Sequence, residues 1–117
     1  MNKIKTIELT GAALDWAVAK CEGPYSVAAC YYDENDLPMC RDEATYMEWQ
    51  PSTNWAQGGP IIERERIELE HDGFIWWARI KADDDFDGAS PLIAAMRCYV
   101  ASKLGDTVDI PAELLTN

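Results

Sequence analysis

The stretch Ser90–Gly105, SPLIAAMRCYVASKLG, decides the fold because it contains the start, body and end of one long helix. Ser90 and Pro91 suit the N-cap and first position of a helix, and Gly105 suits its end. The broad apolar side of this helix consists of Leu92, Ile93, Met96, Tyr99, Val100 and Leu104. Its back consists of small residues, and a helix that is apolar all round is typical of a buried position. The sequence therefore predicts a central helix over Ser90–Leu104, packed on two sides.

A shorter helix is predicted nearer the start of the chain, with Thr10 as its N-cap and Gly23-Pro24 as its end. Its apolar stripe consists of Leu14, Ala17, Val18 and Cys21, which recur at helical spacing. Trp16 lies off this stripe, so its indole needs either cover from another segment or a partner. Trp16 is for this reason a candidate interaction residue.

The clearest strand signal is Asp72-Gly73, a dipeptide typical of a type I′ hairpin turn, between two strand-like runs. The predicted cross-strand pairs are His71 with Phe74, Leu69 with Trp76, and Ile67 with Ala78. The predicted core face carries Ile67, Leu69, Phe74, Trp76 and Ile80, and the opposite face carries Glu68, Glu70, Ile75, Trp77 and Arg79. Ile75 and Trp77 are too apolar for a fully solvated face. Either the Trp-rich segment 49–59 covers them, or they form an apolar centre, rimmed by Glu68 and Glu70, that binds a partner.

The fold predicted from these patterns is α+β, a single domain over residues 1–117. A small, mostly antiparallel sheet, built from a Tyr25–Tyr32 strand and the Ile67–Ile80 hairpin, packs against the two main helices. The remaining predictions are short strands over Lys3–Leu9 and Thr107–Ile110, a loop over Asp33–Glu43, a packed loop over Tyr46–Pro60, a short helix from Pro60 to Arg66, and an acidic turn over Ala82–Gly88.

The composition limits the classes of function. The chain has 117 residues, of which 48% are hydrophobic, so it can form a core without metal or disulfide support. Its net charge is −11 at pH 7. Such a surface repels phosphate backbones, so direct nucleic-acid binding is not expected. It attracts a basic protein surface, although the charge can equally serve only to keep a Trp-rich domain in solution.

The four cysteines form no C-x-x-C pair, and the chain has one histidine, so no zinc site is expected. Cys21, Cys30 and Cys98 lie in helix or strand patterns and are predicted as buried free thiols, whereas Cys40 is predicted as an exposed thiol in a loop. No export signal and no run long enough to span a membrane is visible. A reducing cytoplasm is the expected location.

Two motifs invite a binding interpretation. Asp83, Asp85, Asp87 and Gly88 imitate the start of an EF-hand loop, but the twelfth position is Ala94 instead of a bidentate Glu, so a solvated acidic turn is expected. The Trp-rich segment carries Trp49, Asn54, Trp55 and Gln57, which suit a small-ligand pocket. The favoured interpretation is that its Trp residues plug the core and its amides bind its own backbone.

No catalytic arrangement is visible, and no cofactor is expected. His71 lies at the hairpin tip, and neither Ser52 nor Ser90 has a histidine nearby in sequence. The sequence therefore predicts a protein that is not an enzyme.

Three strings in the chain resemble the NinX-like family of small phage and prophage proteins. They are Leu14–Ala19 (LDWAVA), Trp55–Glu63 (WAQGGPIIE) and Ser90–Val100 (SPLIAAMRCYV), and Gly105-Asp106 with Val108 and Pro111 is also similar. The resemblance covers most of the chain, except residues 32–46 and 83–87. It implies an accessory role in a tailed bacteriophage or prophage of enteric bacteria, and it carries no catalytic residues to transfer.

Three hypotheses of function follow. The first is a non-enzymatic phage accessory protein that binds a basic surface of a host bacterial protein, in the way of a DNA-mimicking inhibitor of a nucleic-acid-binding or defence factor. The second is a small-ligand-binding protein or small enzyme that uses the Trp-rich segment. The third is a structural homo-oligomer.

Overall fold

A computed structural model describes residues 2–25, 27–81 and 84–115 of the chain. The helices are α1 (Gly11–Cys21), α2 (Trp55–Glu65) and α3 (Pro91–Leu104). The strands are β1 (Asn2–Lys5), β2 (Ala28–Tyr32), β3 (Pro38–Asp42), β4 (Glu68–His71), β5 (Trp76–Arg79), β6 (Phe86–Gly88) and β7 (Thr107–Ile110). The predicted α+β class is confirmed.

Helix α3 is the central element, as predicted. The Ser90 side chain accepts a hydrogen bond of 3.1 Å from the Ile93 N–H, and the helix ends before Gly105, whose φ is +91°. Tyr99, Val100, Ala94, Ala95 and Cys98 are buried, because α3 contacts α1, α2 and strands of two different sheets. The prediction of a helix packed on two sides is therefore confirmed.

The strands form three separate antiparallel sheets, so the predicted single sheet is wrong. β1 pairs with β7, β2 pairs with β3, and β5 lies between β4 and β6. β1 ends at Lys5, where a 3-10 turn over Thr6–Glu8 replaces the rest of the predicted strand. The predicted strand from Tyr25 starts only at Ala28, because Gly23–Tyr25 forms another 3-10 turn.

The predicted hairpin exists, but its register is wrong by two residues. His71 pairs with Trp76 and Leu69 with Ala78, so the loop residues are Gly73 and Phe74. Gly73 adopts a φ of +98°, a backbone conformation that glycine reaches without a steric cost. Because a shift of two keeps every side chain on its face, the core face is otherwise as predicted, but Phe74 is 94% exposed.

The segment Asp33–Glu43 is not a loop, because Pro38–Asp42 forms β3. Asp33 Oδ1 accepts hydrogen bonds from the N–H groups of Asn35 and Leu37, and these bonds close a tight turn between β2 and β3. The pairing puts Cys30 opposite Cys40, and the two form a disulfide. The prediction of free thiols at these two positions is therefore wrong.

The other two cysteines are free and buried, as predicted. Burial raises the pKa of Cys21 to about 12 and that of Cys98 to about 11. Neither thiol is therefore a nucleophile at neutral pH.

Helix α2 begins at Trp55, five residues earlier than predicted, with Pro60 inside it. Asn54 is its N-cap and accepts a hydrogen bond of 2.8 Å from the Ala56 N–H. The Gly58-Gly59 pair suggested a loop, yet Gly58 is needed inside the helix. An added Cβ at Gly58 would collide with the Pro51 carbonyl oxygen and lie 2.7 Å from Leu92 Cδ2.

The predicted acidic turn is partly a strand, because Phe86–Gly88 forms β6. Arg97 of α3 fixes this strand through a hydrogen bond of 2.8 Å from its Nη1 to the Asp87 carbonyl oxygen. Asp83, the first residue of the EF-hand-like run, lies outside the described residues.

Candidate functional site

The outer face of the β4–β5–β6 sheet has Trp77 at its centre, between Glu70 of β4 and Asp87 of β6. The Trp77 Nε1 donates a hydrogen bond of 2.7 Å to Asp72 Oδ2. The other oxygen of Asp72 accepts the Ile75 N–H at 2.9 Å. The bonds from the Ile75 backbone and the Trp77 indole, together with that from the Phe74 N–H, lower the pKa of Asp72 to about 2.

Arg79 holds a second row of side chains on this face. Its Nε donates to Asp85 Oδ1 at 2.7 Å, and its Nη1 donates to Glu68 Oε2 at 3.4 Å. Glu70 lies 3.7 Å from the Arg79 Nη2. These contacts, the one with Asp85 above all, raise the pKa of Arg79. The rows Glu70–Trp77–Asp87 and Glu68–Arg79–Asp85 thus lie side by side, and we call this surface the acidic sheet face.

The acidic sheet face combines five carboxylates with one guanidinium and a half-buried indole. The carboxylates belong to Glu68, Glu70, Asp72, Asp85 and Asp87. The side chains of Glu68 and Glu70 are 71% and 62% exposed, so water and a partner can reach them. The face therefore presents ordered negative charge around an apolar centre.

The sequence predicted Trp77, Glu68, Glu70 and Ile75 on one face. The structure brings the first three together, and Ile75 lies half-buried just before β5. Sequence reasoning missed Asp85 and Asp87, because the acidic run suggested a turn. Asp85 and Asp87 flank the aromatic residue Phe86. This alternation of polar and apolar residues has the period of a strand, and it was the signal from which β6 could have been predicted. Asp72 was seen only as a turn residue, because the predicted register placed it in the loop of the hairpin.

Trp49 and Gln57 lie elsewhere and line a groove of about 440 Å³ between α2 and the base of the β2–β3 hairpin. The Trp49 N–H donates to the Cys40 carbonyl oxygen at 3.1 Å, which ties this segment to β3. The Gln57 amide bonds to two backbone groups: its Oε1 accepts the Gln50 N–H, and its Nε2 donates to the Glu48 carbonyl oxygen. The amide therefore stabilises its own segment, as the favoured interpretation held, and Trp49 does not serve as a cover for Trp77.

The remaining predicted site residues do not share a site. Asn54 caps α2, and Trp55 is exposed on the same helix. Trp16 is only 8% exposed and belongs to the core, with Lys20 Nζ 4.8 Å from the centre of its ring. The expectation that Trp16 contributes to an interaction surface is therefore wrong, because the fold itself supplies its cover.

A buried ionic network, which sequence reasoning missed, lies at the end of α1. Glu22 is 1% exposed, and its carboxylate accepts hydrogen bonds from Arg64 of α2 and from the Tyr99 hydroxyl of α3. The Arg64 guanidinium also lies 4.0 Å from the ring centre of Tyr25. Burial raises the pKa of Tyr99, and its bond to Glu22 adds to the effect. The network therefore joins the end of α1 to α2 and α3.

Asp15 is the other buried carboxylate that sequence reasoning missed. Its Oδ1 accepts the Ser52 N–H at 2.8 Å. Burial raises the pKa of Asp15 to about 6, although the hydrogen bond from Ser52 opposes the shift. Asp15 therefore anchors the turn that precedes α2.

The described residues lack two further features, a cluster of metal ligands and a membrane-spanning helix. They contain no group of three or more His, Cys, Asp or Glu side chains arranged to hold a metal ion. None of the three helices within residues 2–25, 27–81 and 84–115 has the length and hydropathy needed to cross a bilayer.

The sequence of the chain defines its class as a bacteriophage protein. Residues 5–103 match the family described as "Bacteriophage P22, NinX". The chain belongs to this family, and the predicted resemblance is confirmed; membership supports an accessory role in a phage. No curated protein matches the chain. The matched residues include β4, β5 and β6, and therefore the whole acidic sheet face.

Proposed function

We propose that this phage accessory protein is not an enzyme and that it binds a basic surface of a host protein through the acidic sheet face. The observation that carries the proposal is the pair of rows Glu70–Trp77–Asp87 and Glu68–Arg79–Asp85. The strands hold these side chains at fixed spacing, so little conformational entropy is lost when they meet a partner. An indole at the centre and carboxylates at the rim match the usual anatomy of protein interfaces.

The geometry suits occupation of a nucleic-acid-binding surface. Side chains on one face of a strand repeat about every 7 Å, and neighbouring strands lie about 5 Å apart, so the carboxylates form a regular negative array. A protein that binds nucleic acid presents Lys and Arg to such an array of charge. The electrostatic field of the whole chain, with its net charge of −11, raises the rate of association with a basic partner. An inhibitor of a nucleic-acid-binding or defence factor in the host cytoplasm is therefore the form of the function that we propose.

The experiment is affinity capture from a bacterial lysate with two variants that change the net charge equally. The test variant is Glu68→Gln/Glu70→Gln/Asp85→Asn/Asp87→Asn. The control variant is Glu8→Gln/Glu63→Gln/Asp106→Asn/Asp109→Asn, whose carboxylates are exposed elsewhere. We expect the wild type and the control to retain the same basic protein, and the test variant to lose it. Equal loss by both variants would show that net charge alone attracts the protein, and equal retention would place the partner on another surface.

A small-ligand role for the groove beside α2 is the second candidate, because its volume of about 440 Å³ suits a small molecule. Its Gln57, Glu22 and Arg64 side chains already bind one another or the backbone, and the buried indole N–H of Trp49 is the lining group without a partner among the described residues. Variants of the acidic sheet face should leave ligand binding in this groove unchanged. The change Ala56→Trp, at its exposed wall, should abolish ligand binding and leave capture of the basic protein intact.

A further inference from the structure

Strand β2 differs from the other strands of the described residues in charge. Its sequence, Ala-Ala-Cys-Tyr-Tyr, contains no charged residue, whereas each of the other six strands carries at least one. Exposed edges usually carry charges, Pro or bulges that prevent pairing with another chain. β2 has none of these protections.

The backbone hydrogen bonds show which groups of β2 face outward. The Asp33 N–H donates to the Leu37 carbonyl oxygen, and the Glu43 N–H donates to the Val27 carbonyl oxygen. The odd-numbered residues therefore form the hydrogen-bonded pairs of the hairpin, and the even-numbered residues direct their N–H and C=O groups away from β3. Among the described residues, the outward backbone groups of Ala28, Cys30 and Tyr32 have no partner. β2 thus presents an open edge.

Exposed apolar side chains are concentrated in the β2–β3 hairpin and in the residues that follow β3. Tyr31, Tyr32, Leu37, Tyr46 and Met47 are between 43% and 70% exposed. The Arg41 guanidinium lies 5.8 Å from the ring centre of Tyr31 and 5.0 Å from that of Tyr46. Tyr, Met and Arg are enriched in the centres of protein interfaces. We call the β2 edge and these side chains the hairpin surface.

Charge decides which occupant fits the hairpin surface. Asp33, Glu34 and Asp36 follow β2 in the turn, and at its other end Asp42 lies opposite Ala28, with Glu43 next to it. An antiparallel pairing of β2 with β2 of a second copy would bring the acidic turn of each copy beside the acidic end of the other. Like charges in such positions are destabilising. An extended segment with an apolar centre and basic residues at both ends has the complementary charge.

We infer that β2 binds an extended segment of a partner protein, with an apolar centre and basic flanks, as an added antiparallel strand. Main-chain hydrogen bonds to Ala28, Cys30 and Tyr32 provide affinity, as in other cases of strand addition. Tyr31 and Tyr32 provide the exposed side chains that such a segment can contact. This surface does not include the acidic sheet face, and the inference does not depend on the function proposed above.

The test uses the full chain and a synthetic peptide, Lys-Lys-Val-Thr-Val-Thr-Val-Lys-Lys, with a fluorescent label. Binding is measured by anisotropy, and the exchange of the Ala28, Cys30 and Tyr32 amide hydrogens is measured with and without peptide. We expect binding, with slower exchange at these three amides. N-methylation of alternate central residues, or replacement of the lysines by glutamates, should weaken binding at least tenfold.

Two variants of the protein separate main-chain from side-chain recognition. Tyr32→Pro removes an outward N–H and should weaken peptide binding at least tenfold, whereas Tyr32→Ala keeps that N–H and should bind within threefold of the wild type. Thermal melts show whether Tyr32→Pro is folded. If it is unfolded, the comparison of the N-methylated and unmodified peptides on the wild-type protein tests main-chain recognition instead. The four-carboxylate variant of the acidic sheet face should bind the peptide as the wild type does, so that the two proposals fail independently.

Three results would overturn the inference. The first is the absence of peptide binding by the wild type. The second is equal binding of the N-methylated peptide, which would show attraction by charge alone. The third is a dimer of the wild type in sedimentation equilibrium that Tyr32→Pro abolishes, because a second copy would then occupy the edge.

Discussion

Glu22 at the end of α1 and Arg64 in the last turn of α2 are joined by two hydrogen bonds, of 3.2 Å from Nη1 to Oε1 and 2.6 Å from Nη2 to Oε2. The side chain of Glu22 is 1% exposed and that of Arg64 is 31% exposed. The pair therefore fixes the position of α2 against α1 from inside the fold.

Removal of the Arg64 side chain should destabilise the protein, because it leaves the buried carboxylate of Glu22 without its ion-pair partner. We expect Arg64→Met to lower the free energy of unfolding by about 3 kcal/mol. This value is at the low end of the losses measured when a buried ion pair is broken, because the guanidinium is partly exposed. Urea unfolding measures the change. The double variant Glu22→Met/Arg64→Met should recover part of the loss, because no unpaired charge remains.

The matched control for this prediction is Arg41→Met, since Arg41 pairs with Glu43 on the surface. Exposed pairs contribute about 0–1 kcal/mol. Equal losses in Arg41→Met and Arg64→Met would contradict a special role for the Glu22–Arg64 pair.

The neighbouring glycines of α2 should respond in opposite directions to the same change. Gly58→Ala should destabilise the protein by about 1–3 kcal/mol, because its methyl group would collide with the Pro51 carbonyl and press on Leu92. Gly59→Ala meets nothing nearer than Trp55 Cε3 at 3.8 Å, so it should stabilise the helix by about 0.5–1 kcal/mol. Thermal melts of the two variants give the comparison. A gain in stability at Gly58 would show that α2 does not pack closely on the turn before it.

Asp15 should make the stability depend on pH between about 4 and 6. Its pKa rises from 3.8 to about 6 in the fold, so the native state prefers the protonated acid. The contribution of Asp15 to the free energy of unfolding therefore falls as the pH rises through this window, by about 3 kcal/mol in total. Asp15→Asn keeps an acceptor for the Ser52 N–H and removes the charge.

The measurement is the difference in midpoint temperature between Asp15→Asn and the wild type at several pH values. The midpoint temperature of Asp15→Asn should rise relative to that of the wild type between pH 4 and pH 7. Other carboxylates titrate in both proteins, so their effects cancel in the difference. A difference that is constant over this range would show that Asp15 is not the group responsible.

The Cys30–Cys40 disulfide should stabilise the hairpin only under oxidising conditions. The disulfide closes a short loop, with a sequence separation of 10. It lowers the chain entropy of the unfolded state and thereby stabilises the fold by about 3 kcal/mol. We expect Cys30→Ser/Cys40→Ser to melt below the wild type in oxidising buffer. With dithiothreitol present, the two proteins should melt together. A difference that persists in dithiothreitol would mean that the serines perturb packing, because Cys30 and Cys40 pack against the core.

Local signals in the sequence predicted the two helices that carry their own end signals. Ser90, Pro91 and Gly105 mark the ends of α3, and Thr10 precedes α1, because caps and breakers act within one turn. The alternation of β4 and β5 also predicted which side chains point outward. This was enough to place Glu68, Glu70 and Trp77 on one surface.

The parts that the sequence did not predict depend on contacts between distant residues. α2 starts before Gly58 because the missing side chain allows close contact with Pro51 and Leu92. The hairpin register differs because Asp72 accepts bonds from turn amides and from Trp77, whereas turn propensity alone favours Asp72-Gly73 as the loop. Cys40 was expected in a loop, since Arg41 and Asp42 make that segment polar. A strand with one exposed face tolerates such residues.

The pairing of β1 with β7 has a kinetic consequence for folding. Thr6 Oγ1 donates to the Gly105 carbonyl oxygen across a separation of 99 residues, whereas residues 68–104 hold β4, β5, β6 and α3 in one continuous run. Contacts of short sequence separation form faster because less loop entropy opposes them. On a ribosome, β1 is synthesised before β2–β6, and its partner strand β7 is synthesised after them. β1 must therefore wait, unpaired with β7, until β7 has left the exit tunnel.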